Sequence, residues 1–114
     1  MSEHINRIIL QGNLVSDPEL KEFPSSKVCK FTIATNRNRD EVNYTEVAAW
    51  RELADYSMSF LKKGTQCIVE GRLKLETWLS RDGRKMSKFV VVASEVIYLP
   101  RRPDDEVDLE EDVK

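Results

Sequence analysis

A tryptophan stands beside two cations in the segment GRLKLETW, residues 71–78. Apolar and polar residues alternate along it, which predicts a strand, and successive side chains of a strand face opposite sides of a sheet. The two leucines would face one way, and Arg72, Lys74 and Trp78 would face the other. An indole ring on a polar face can stack on a flat ring of a ligand, and the two cations beside it can neutralise a nearby anion.

Two more aromatic residues occur in YTEVAAW, residues 44–50, which is also typical of a strand. Tyr44 and Trp50 are six residues apart, so a period of two places them on one face. Packing is the alternative explanation for each of these residues. Trp50 could be a core residue at the start of a helix, and Trp78 could pack under the following turn or in a subunit interface. The cations beside Trp78 could form a merely solvated face.

Further cations are candidates for contacts with an anionic ligand. Lys62 and Lys63 close a predicted helix, where they could equally serve as helix-end charges. The complete set of candidate binding residues is Tyr44, Trp50, Trp78, Arg72, Lys74, Arg7, Lys62, Lys63, Arg84 and Lys85.

The composition is that of one globular domain. The chain has 114 residues, of which 40% are hydrophobic and 33% charged, and a chain of this length can bury a core of its own. No apolar run reaches the roughly 18–20 residues of a membrane span, and the N-terminus lacks the pattern of a signal peptide. Two cysteines and one histidine exclude a disulfide scaffold and a zinc cluster. We expect a cytoplasmic protein that holds no metal or other cofactor.

Charge is divided unevenly along the chain. Residues 104–114 hold seven acids and one lysine, a net charge of −6, whereas residues 1–103 hold thirteen acids and seventeen Lys or Arg, a net charge of +4. A basic body with an acidic tail favours a nucleic acid partner. We predict a folded domain over residues 1–100 and a disordered acidic tail over residues 101–114, because the tail lacks the apolar residues needed to bury itself.

The spacing of apolar residues predicts five strands and one helix. Polar segments at 16–27, 37–43 and 80–85 indicate loops or turns, and Asp82-Gly83 is a strong hairpin signal. A glycine directly after the helix is expected to stop it, and glycines inside the first and fourth strands fit sharp bends or close backbone approaches. The order β-β-β-α-β-β is the layout of an OB-fold, a five-stranded barrel whose face binds oligonucleotides and oligosaccharides. The predicted strands cover residues 5–15, 28–36, 44–50, 65–79 and 86–99, and the predicted helix covers residues 52–63.

Catalysis finds little support in the sequence. The carboxylates are scattered and are densest in the acidic tail, whereas a metal-dependent nuclease needs convergent acids on ordered elements. There is no GxxxxGK phosphate loop. The single histidine, His4, lies close to the N-terminus, which is a poor position for a general base. We therefore expect a binding protein and not an enzyme.

Three segments resemble the bacterial single-stranded DNA-binding protein family, and they stand in the family's order. They are IILQGNLVSDPEL (8–20), FTIATN (31–36) and FLKKGTQCIVEGRL (60–73). The similar segments together span residues 5–99. The resemblance implies an OB-fold, usually in a homotetramer, that binds single-stranded DNA without marked sequence preference. It also implies a nucleoid-associated role in protecting strands exposed during replication, recombination and repair, with proteins of those processes as partners.

The resemblance extends to the aromatic residues and has two gaps. Tyr44 and Trp50 fall where the family usually has a Trp and a Phe, and Trp78 matches a family Trp. A further family aromatic is missing, because residues 37–39 are Arg-Asn-Arg. The acidic tail also lacks the family's docking motif, which contains a proline and a terminal phenylalanine. The tail could be truncated, or it could belong to a short-tailed member of the family. The alternative function is an accessory OB-fold of a replication-restart, plasmid or phage system that acts mainly through protein partners.

Overall fold

The computed structural model describes residues 3–100 as six strands and one helix. The predicted acidic tail, residues 101–114, lies outside the described residues, so the boundary between domain and tail stays a prediction. No helix in the described range is long and apolar enough to cross a membrane. In chain order the elements are β1 (Ile8–Leu14), β2 (Glu19–Phe23), β3 (Ser26–Asn38), β4 (Glu41–Trp50), α1 (Glu52–Phe60), β5 (Gln66–Leu79) and β6 (Lys85–Leu99).

Five of the strands close into a barrel. β1 pairs with β3 and with β5, β3 pairs with β4, and β5 pairs with β6, all of them antiparallel. β4 and β6 close the ring as a parallel pair, with Val47 opposite Val91 and Ala48 opposite Val92. This small closed barrel, with a helix between its third and fourth strands, has the architecture of an OB-fold. The prediction of an all-β OB-fold with one helix is therefore confirmed.

The sequence predicts a loop over residues 16–27, and this part of the prediction is wrong because the segment contains β2. β2 pairs with the first half of β3 across a two-residue turn at Pro24-Ser25. All five residues of β2 are exposed, because the strand lies at the edge of the sheet and pairs with β3 alone. Edge strands commonly carry charged residues. β2 therefore lacks the alternation of buried and polar residues from which the other strands are predicted.

The loop predicted at residues 37–43 is mostly strand as well. β3 runs to Asn38 and β4 begins at Glu41, which leaves a turn of two residues, Arg39-Asp40. The backbone N–H of Asp40 donates a hydrogen bond to Asn38 Oδ1 at 2.8 Å, as side chains of Asn commonly do in tight turns. The short connection extends the β3–β4 hairpin beyond the barrel.

The hairpin predicted at Asp82-Gly83 is present between β5 and β6. Gly83 adopts a φ of 84°, which a glycine accepts without steric cost, and Ser80 N donates to Arg84 O at 2.9 Å. The turn is one residue shorter than predicted, since Lys85 already belongs to β6 and pairs with the last residue of β5. The long β5–β6 ladder therefore places both strands of this hairpin in fixed register.

The helix α1 is shorter than predicted. It ends at Phe60, because Leu61 turns to an extended conformation and is buried in the core. Lys62 and Lys63 therefore lie just beyond the helix and not in its last turn. Gly64 has a φ of 90°, but it occupies the following turn and not the position directly after the helix.

Alternate residues of the strands fill the core, as a period of two requires. β3 contributes Cys29, Phe31 and Ile33, and β4 contributes Val47 and Ala49. The helix covers one end of the barrel and packs against β3, β4 and β6. The inward side of each barrel strand is thereby occupied, and the function of the protein depends on what the strands present outward.

Two strand glycines allow the barrel to close. A Cβ atom on Gly12 would stand 2.5 Å from the carbonyl oxygen of Ala34, and one on Gly71 would collide with the carbonyl oxygen of Val92. The pairing of β5 with β6 also shifts register between Glu70 and Gly71. The prediction that these glycines mark close backbone approaches is confirmed.

Candidate nucleic-acid interface

The outward side of β4 and its neighbours forms one surface, which we call the β4 face. The strand order across it is β2-β3-β4-β6-β5, and directly paired residues of adjacent strands point to the same side. Val47 and Ala49 of β4 are fully buried, so the residues between and beside them point outward. From the pairing registers, the β4 face carries four aromatic residues (Phe23, Tyr44, Trp50 and Trp78), five cations (Lys21, Lys30, Arg72, Lys74 and Lys88) and three carboxylates (Glu19, Glu46 and Glu76).

The three aromatic residues predicted from the sequence all lie on the β4 face. Tyr44 is 69% exposed, Trp50 40% and Trp78 43%. None of them belongs to the buried core cluster, so each keeps part of its side chain open to solvent. Trp50 lies on β4 towards β2, whereas Trp78 lies on β5 at the opposite edge of the face. The face therefore offers flat rings at both of its edges.

Trp50 is held in place by its neighbours. It stands opposite Val28 in the β3–β4 ladder, and the backbone N–H of the next residue, Arg51, donates to Lys27 O at 2.9 Å. The indole stacks with the ring of Phe23 of β2, with 6.2 Å between ring centroids and 21° between ring planes. The β2–β3 hairpin thus supports the ring of Trp50 from the side.

Trp78 is linked to β4 through a lysine of β6. Lys88 Nζ lies 5.5 Å from the centroid of the Trp78 ring, within the range of a cation–π interaction. The same ammonium forms an ion pair with Glu46 Oε1 at 2.8 Å. Both partners are partly solvent-accessible, so the pair adds modestly to stability. Its geometric effect is to orient a cation next to the exposed indole.

An open depression of about 530 Å³ adjoins Trp78. Its charged lining consists of Lys30, Lys74, Lys88 and Glu76. Within residues 3–100, neither Lys30 nor Lys74 has a carboxylate within 4.0 Å, and Arg72 also lacks such a partner. These three cations are therefore available to an external anion.

The remaining predicted cations lie away from this arrangement. Arg7 precedes β1 and pairs with Glu70 at 2.7 Å. Lys62 and Lys63 occupy the turn before β5, at the end of that strand opposite to Trp78. Lys85 stands on the other side of the β5–β6 hairpin, opposite Leu79. The structure does not bring these residues into the β4 face, and their contacts with a ligand stay predictions.

Arg84 is likewise engaged at the tip of the β5–β6 hairpin. Its Nε lies 3.0 Å from Asp82 Oδ2, and Ser80 Oγ donates a hydrogen bond to the same carboxylate. The Ser80 hydroxyl, followed by the Arg84 guanidinium, lowers the pKa of Asp82 below its usual value. Asp82 and Arg84 are exposed and Ser80 is partly exposed, so the contact organises the turn and leaves Arg84 partly neutralised.

Four aromatic or cationic residues of the β4 face are absent from the sequence-based set of candidates: Lys21, Phe23, Lys30 and Lys88. Lys30 and Lys88 lie on the outward side of β3 and β6 by the period of two, so the alternation of apolar and polar residues in the sequence could have identified them. Phe23 and Lys21 belong to β2, which the sequence does not show to be a strand.

The cysteines and acidic residues do not form a reactive site within residues 3–100. No three His, Cys, Asp or Glu side chains in this range are grouped to hold a metal ion. Cys29 and Cys67 are fully buried in the core, and desolvation raises the pKa of each thiol to about 11. A thiol with so high a pKa is almost entirely protonated at neutral pH and is a weak nucleophile.

The β4 face combines two kinds of contact. Exposed aromatic rings can stack on flat rings of a ligand, with roughly 1–3 kcal/mol for each stacked base. Exposed cations can neutralise phosphates, and this contact weakens as salt rises. Neither contact recognises the edges of bases, so neither distinguishes one base sequence from another. The face is thus that of an OB-fold suited to an unpaired, polyanionic strand.

Comparison with known protein families assigns the chain to one of them. Residues 5–99 match the Single-strand binding protein family, and the chain belongs to this family. It is 41% identical over 97 residues to the Single-stranded DNA-binding protein of Wolinella succinogenes. The matched region covers 77% of this chain and 60% of the relative. It is 33% identical over 105 residues to the Single-stranded DNA-binding protein 2 of Listeria innocua, covering 86% of this chain and 66% of the relative.

A further relative covers more of both chains. The Single-stranded DNA-binding protein 2 of Chlorobaculum tepidum is 32% identical over 117 residues, which cover 94% of this chain and 79% of the relative. The names of these relatives describe binding proteins and not enzymes. The chain spans about 60% and 66% of the length of the Wolinella and Listeria relatives.

Proposed function

We propose that this protein binds single-stranded DNA on the β4 face, without marked sequence preference, and that it does so as a binding protein and not as an enzyme. The names of its relatives support the ligand. The observation that carries the proposal is the presence of Tyr44, Trp50 and Trp78 on one outward surface, each at least 40% exposed. Bases of a single strand can stack on these rings, whereas bases of a duplex are already stacked on one another.

The charge of the face supports a strand that lies across it. Arg72 and Lys74 on β5 and Lys30 on β3 are without carboxylate partners in the described part of the chain. The ion-paired Lys88 adds a cation on β6, which lies between those two strands. Phosphates that follow the bases over the face would pass these side chains in turn. Binding should therefore weaken with salt while keeping a component that depends on the bases.

The proposal is tested by fluorescence titration. Poly(dT) should quench the emission of Trp50 and Trp78 strongly, and duplex DNA of equal nucleotide concentration should quench it weakly. An abasic deoxyribose-phosphate oligomer of matched length serves as the control, because it carries the phosphates and lacks the bases. Equal quenching by all three ligands would refute stacking as the mode of binding.

We further propose that the protein self-associates as a homotetramer. Apolar side chains lie on the outward side of β1 and at the ends of β5 and β6 that are distant from Trp78: Ile9 is 57% exposed and Ile97 is 42% exposed, and Ile68 stands directly opposite Ile97. Exposed apolar patches on a small domain favour an interface with another protein. Sedimentation at micromolar concentration should give a tetramer, and a monomer under those conditions would refute this proposal.

The cellular role follows from the ligand. We propose that the protein covers single strands exposed during DNA replication, recombination and repair, at the nucleoid in the cytoplasm, together with proteins of those processes. Depletion of the protein in its host should increase sensitivity to DNA damage. A β4-face variant that folds and assembles but does not bind DNA should fail to restore resistance, and full restoration by that variant would favour a role through protein partners instead.

A further inference from the structure

Phe23 is an exposed aromatic residue in a place where the strand pattern of the sequence predicts none. It is the last residue of β2 and pairs with Ser26 across the Pro24-Ser25 turn. Its side chain is 46% exposed, even though it stacks with the indole of Trp50. A phenyl ring that served only to pack against the indole would have no need to leave nearly half of its surface in water.

The Phe23–Trp50 pair is a single aromatic surface. The ring centroids are 6.2 Å apart and the planes differ by 21°, so the two rings are stacked with nearly parallel planes. Both rings remain 40% or more exposed. At this separation no base fits between the rings, whereas the accessible surfaces of both rings can contact bases that arrive from solvent.

A cation stands beside this pair. Lys21 lies on the same side of β2 as Phe23, two residues before it, and pairs with Val28, which in turn pairs with Trp50. Lys21 forms no ion pair among the described residues. By contrast, Lys27 at the nearby start of β3 is held by Asp55 at 2.7 Å, and its hydrogen bond to Asp55 raises its pKa. Lys21 is thus a cation at this edge that is available to a phosphate.

We propose that Phe23 and Trp50 together form a base-binding site at the β2 edge of the β4 face, with Lys21 as its phosphate contact. This inference rests on the proposed binding of single-stranded DNA and extends it by one aromatic residue and one strand. The bound strand then crosses from Trp78 on β5 to Phe23 on β2. With strands about 4.8 Å apart, the four intervals across the face correspond to roughly 19 Å.

The test measures the affinity of the full chain for fluorescein-labelled oligo(dT) by anisotropy. Phe23→Leu keeps an apolar side chain and removes the flat ring, so it should weaken binding by about fivefold to tenfold, the low end of the range for a stacked base. Phe23→Tyr keeps the ring and should bind within about twofold of the unchanged protein. Thermal melting of each variant shows that it is folded at the assay temperature.

A matched control removes a different half-exposed phenyl ring. Phe60 is 49% exposed and also stacks on an aromatic residue, Tyr98, with centroids 5.6 Å apart, but it belongs to α1 and not to the β4 face. Phe60→Leu should leave DNA affinity unchanged. An equal loss in Phe60→Leu and Phe23→Leu would overturn the proposal, because it would show a general effect of losing an exposed aromatic ring.

A double variant separates direct contact from support of the indole. If Phe23 contacts a base, Phe23→Leu should still weaken binding several-fold in a Trp50→Ala background. If Phe23 acts only by holding Trp50, the change should have no effect in that background, and the proposed contact would be overturned. Lys21→Gln should lower the magnitude of the salt slope by about 0.7, the value for one phosphate on a single strand, and an unchanged slope would remove Lys21 from the site.

The outcomes also separate this site from the function on which it rests. Failure of the unchanged protein to bind oligo(dT) would refute the proposed function itself. Binding by the unchanged protein, together with equal binding by Phe23→Leu, would refute only the site at the β2 edge and would leave Tyr44, Trp50 and Trp78 as the stacking residues.

Discussion

Replacing Trp78 with alanine tests the β4 face most directly, because the indole is accessible and its loss affects binding and packing to different extents. If a base stacks on this ring, Trp78→Ala should cost roughly 1–3 kcal/mol of binding free energy. This corresponds to an increase of about 5-fold to 150-fold in Kd. The cation–π contact with Lys88 would be lost as well, and at an exposed site it contributes about 0.5–1 kcal/mol to the stability of the fold.

The effect of the same change on stability is limited by the exposure of the ring. Truncation of a fully buried Trp costs about 3–5 kcal/mol. Trp78 is 43% exposed, so a little over half of that contact area is available to be lost, which sets an upper limit of roughly 2–3 kcal/mol. The fold should therefore persist, with a lower Tm, and DNA affinity can be measured on folded protein.

The assay is anisotropy of labelled oligo(dT) at a temperature well below the Tm of the variant. Trp78→Phe retains a flat ring and should recover most of the affinity. Leu79→Ala is the matched control, since Leu79 is the neighbouring residue, is 67% exposed and points to the other side of the hairpin. Unchanged affinity of Trp78→Ala, accompanied by a large loss of Tm or of the oligomer, would show that Trp78 is a packing residue.

Three further predictions concern charge and the thiols. Glu46→Gln frees Lys88 and removes a carboxylate from the β4 face, so DNA binding should tighten at low salt and the gain should shrink as salt rises; equal or weaker affinity at low salt would contradict this. Cys29 and Cys67 should resist a thiol reagent at pH 8 in the folded protein and react in denaturant, because burial raises both pKa values to about 11; fast modification of either thiol in the folded protein would contradict it. Deletion of residues 104–114, which carry a net charge of −6, should tighten binding at low salt if this tethered polyanion competes with DNA, and identical affinities of the two chains would exclude such competition.

The outward positions of the three aromatic residues could be predicted because each depends on local alternation within one strand. Val47 and Ala49 commit one side of β4 to the core, and Tyr44 and Trp50 follow on the other side. Trp78 also lies on the side of β5 that the alternation predicts, although Leu73 and Leu75 on the other side are 39% and 49% exposed and do not belong to the core. A period of two is a property of the strand itself, so it holds without knowledge of the strand's partners.

Contacts between strands could not be predicted in the same way. Lys88 and Glu46 are 42 residues apart and meet because β4 and β6 close the barrel as a parallel pair. That register is set by closure of the whole sheet and has no local signal. β2 was missed for a related reason, since an edge strand with five exposed residues shows no buried face in its sequence.

The distribution of rings on the β4 face indicates how a strand would cross it. The family resemblance implies an aromatic residue shortly after the ATN segment, but residues 37–39 of this chain are Arg-Asn-Arg. The β3–β4 hairpin ends in the turn at Arg39-Asp40. That tip offers cations but no ring. Phe23 supplies an additional ring at the β2 edge, next to Trp50. If single-stranded DNA binds as proposed, a strand that gains stacking energy along its path is favoured to run from Trp78 across β6 to Tyr44 and Trp50 on β4, and from there towards Phe23 on β2.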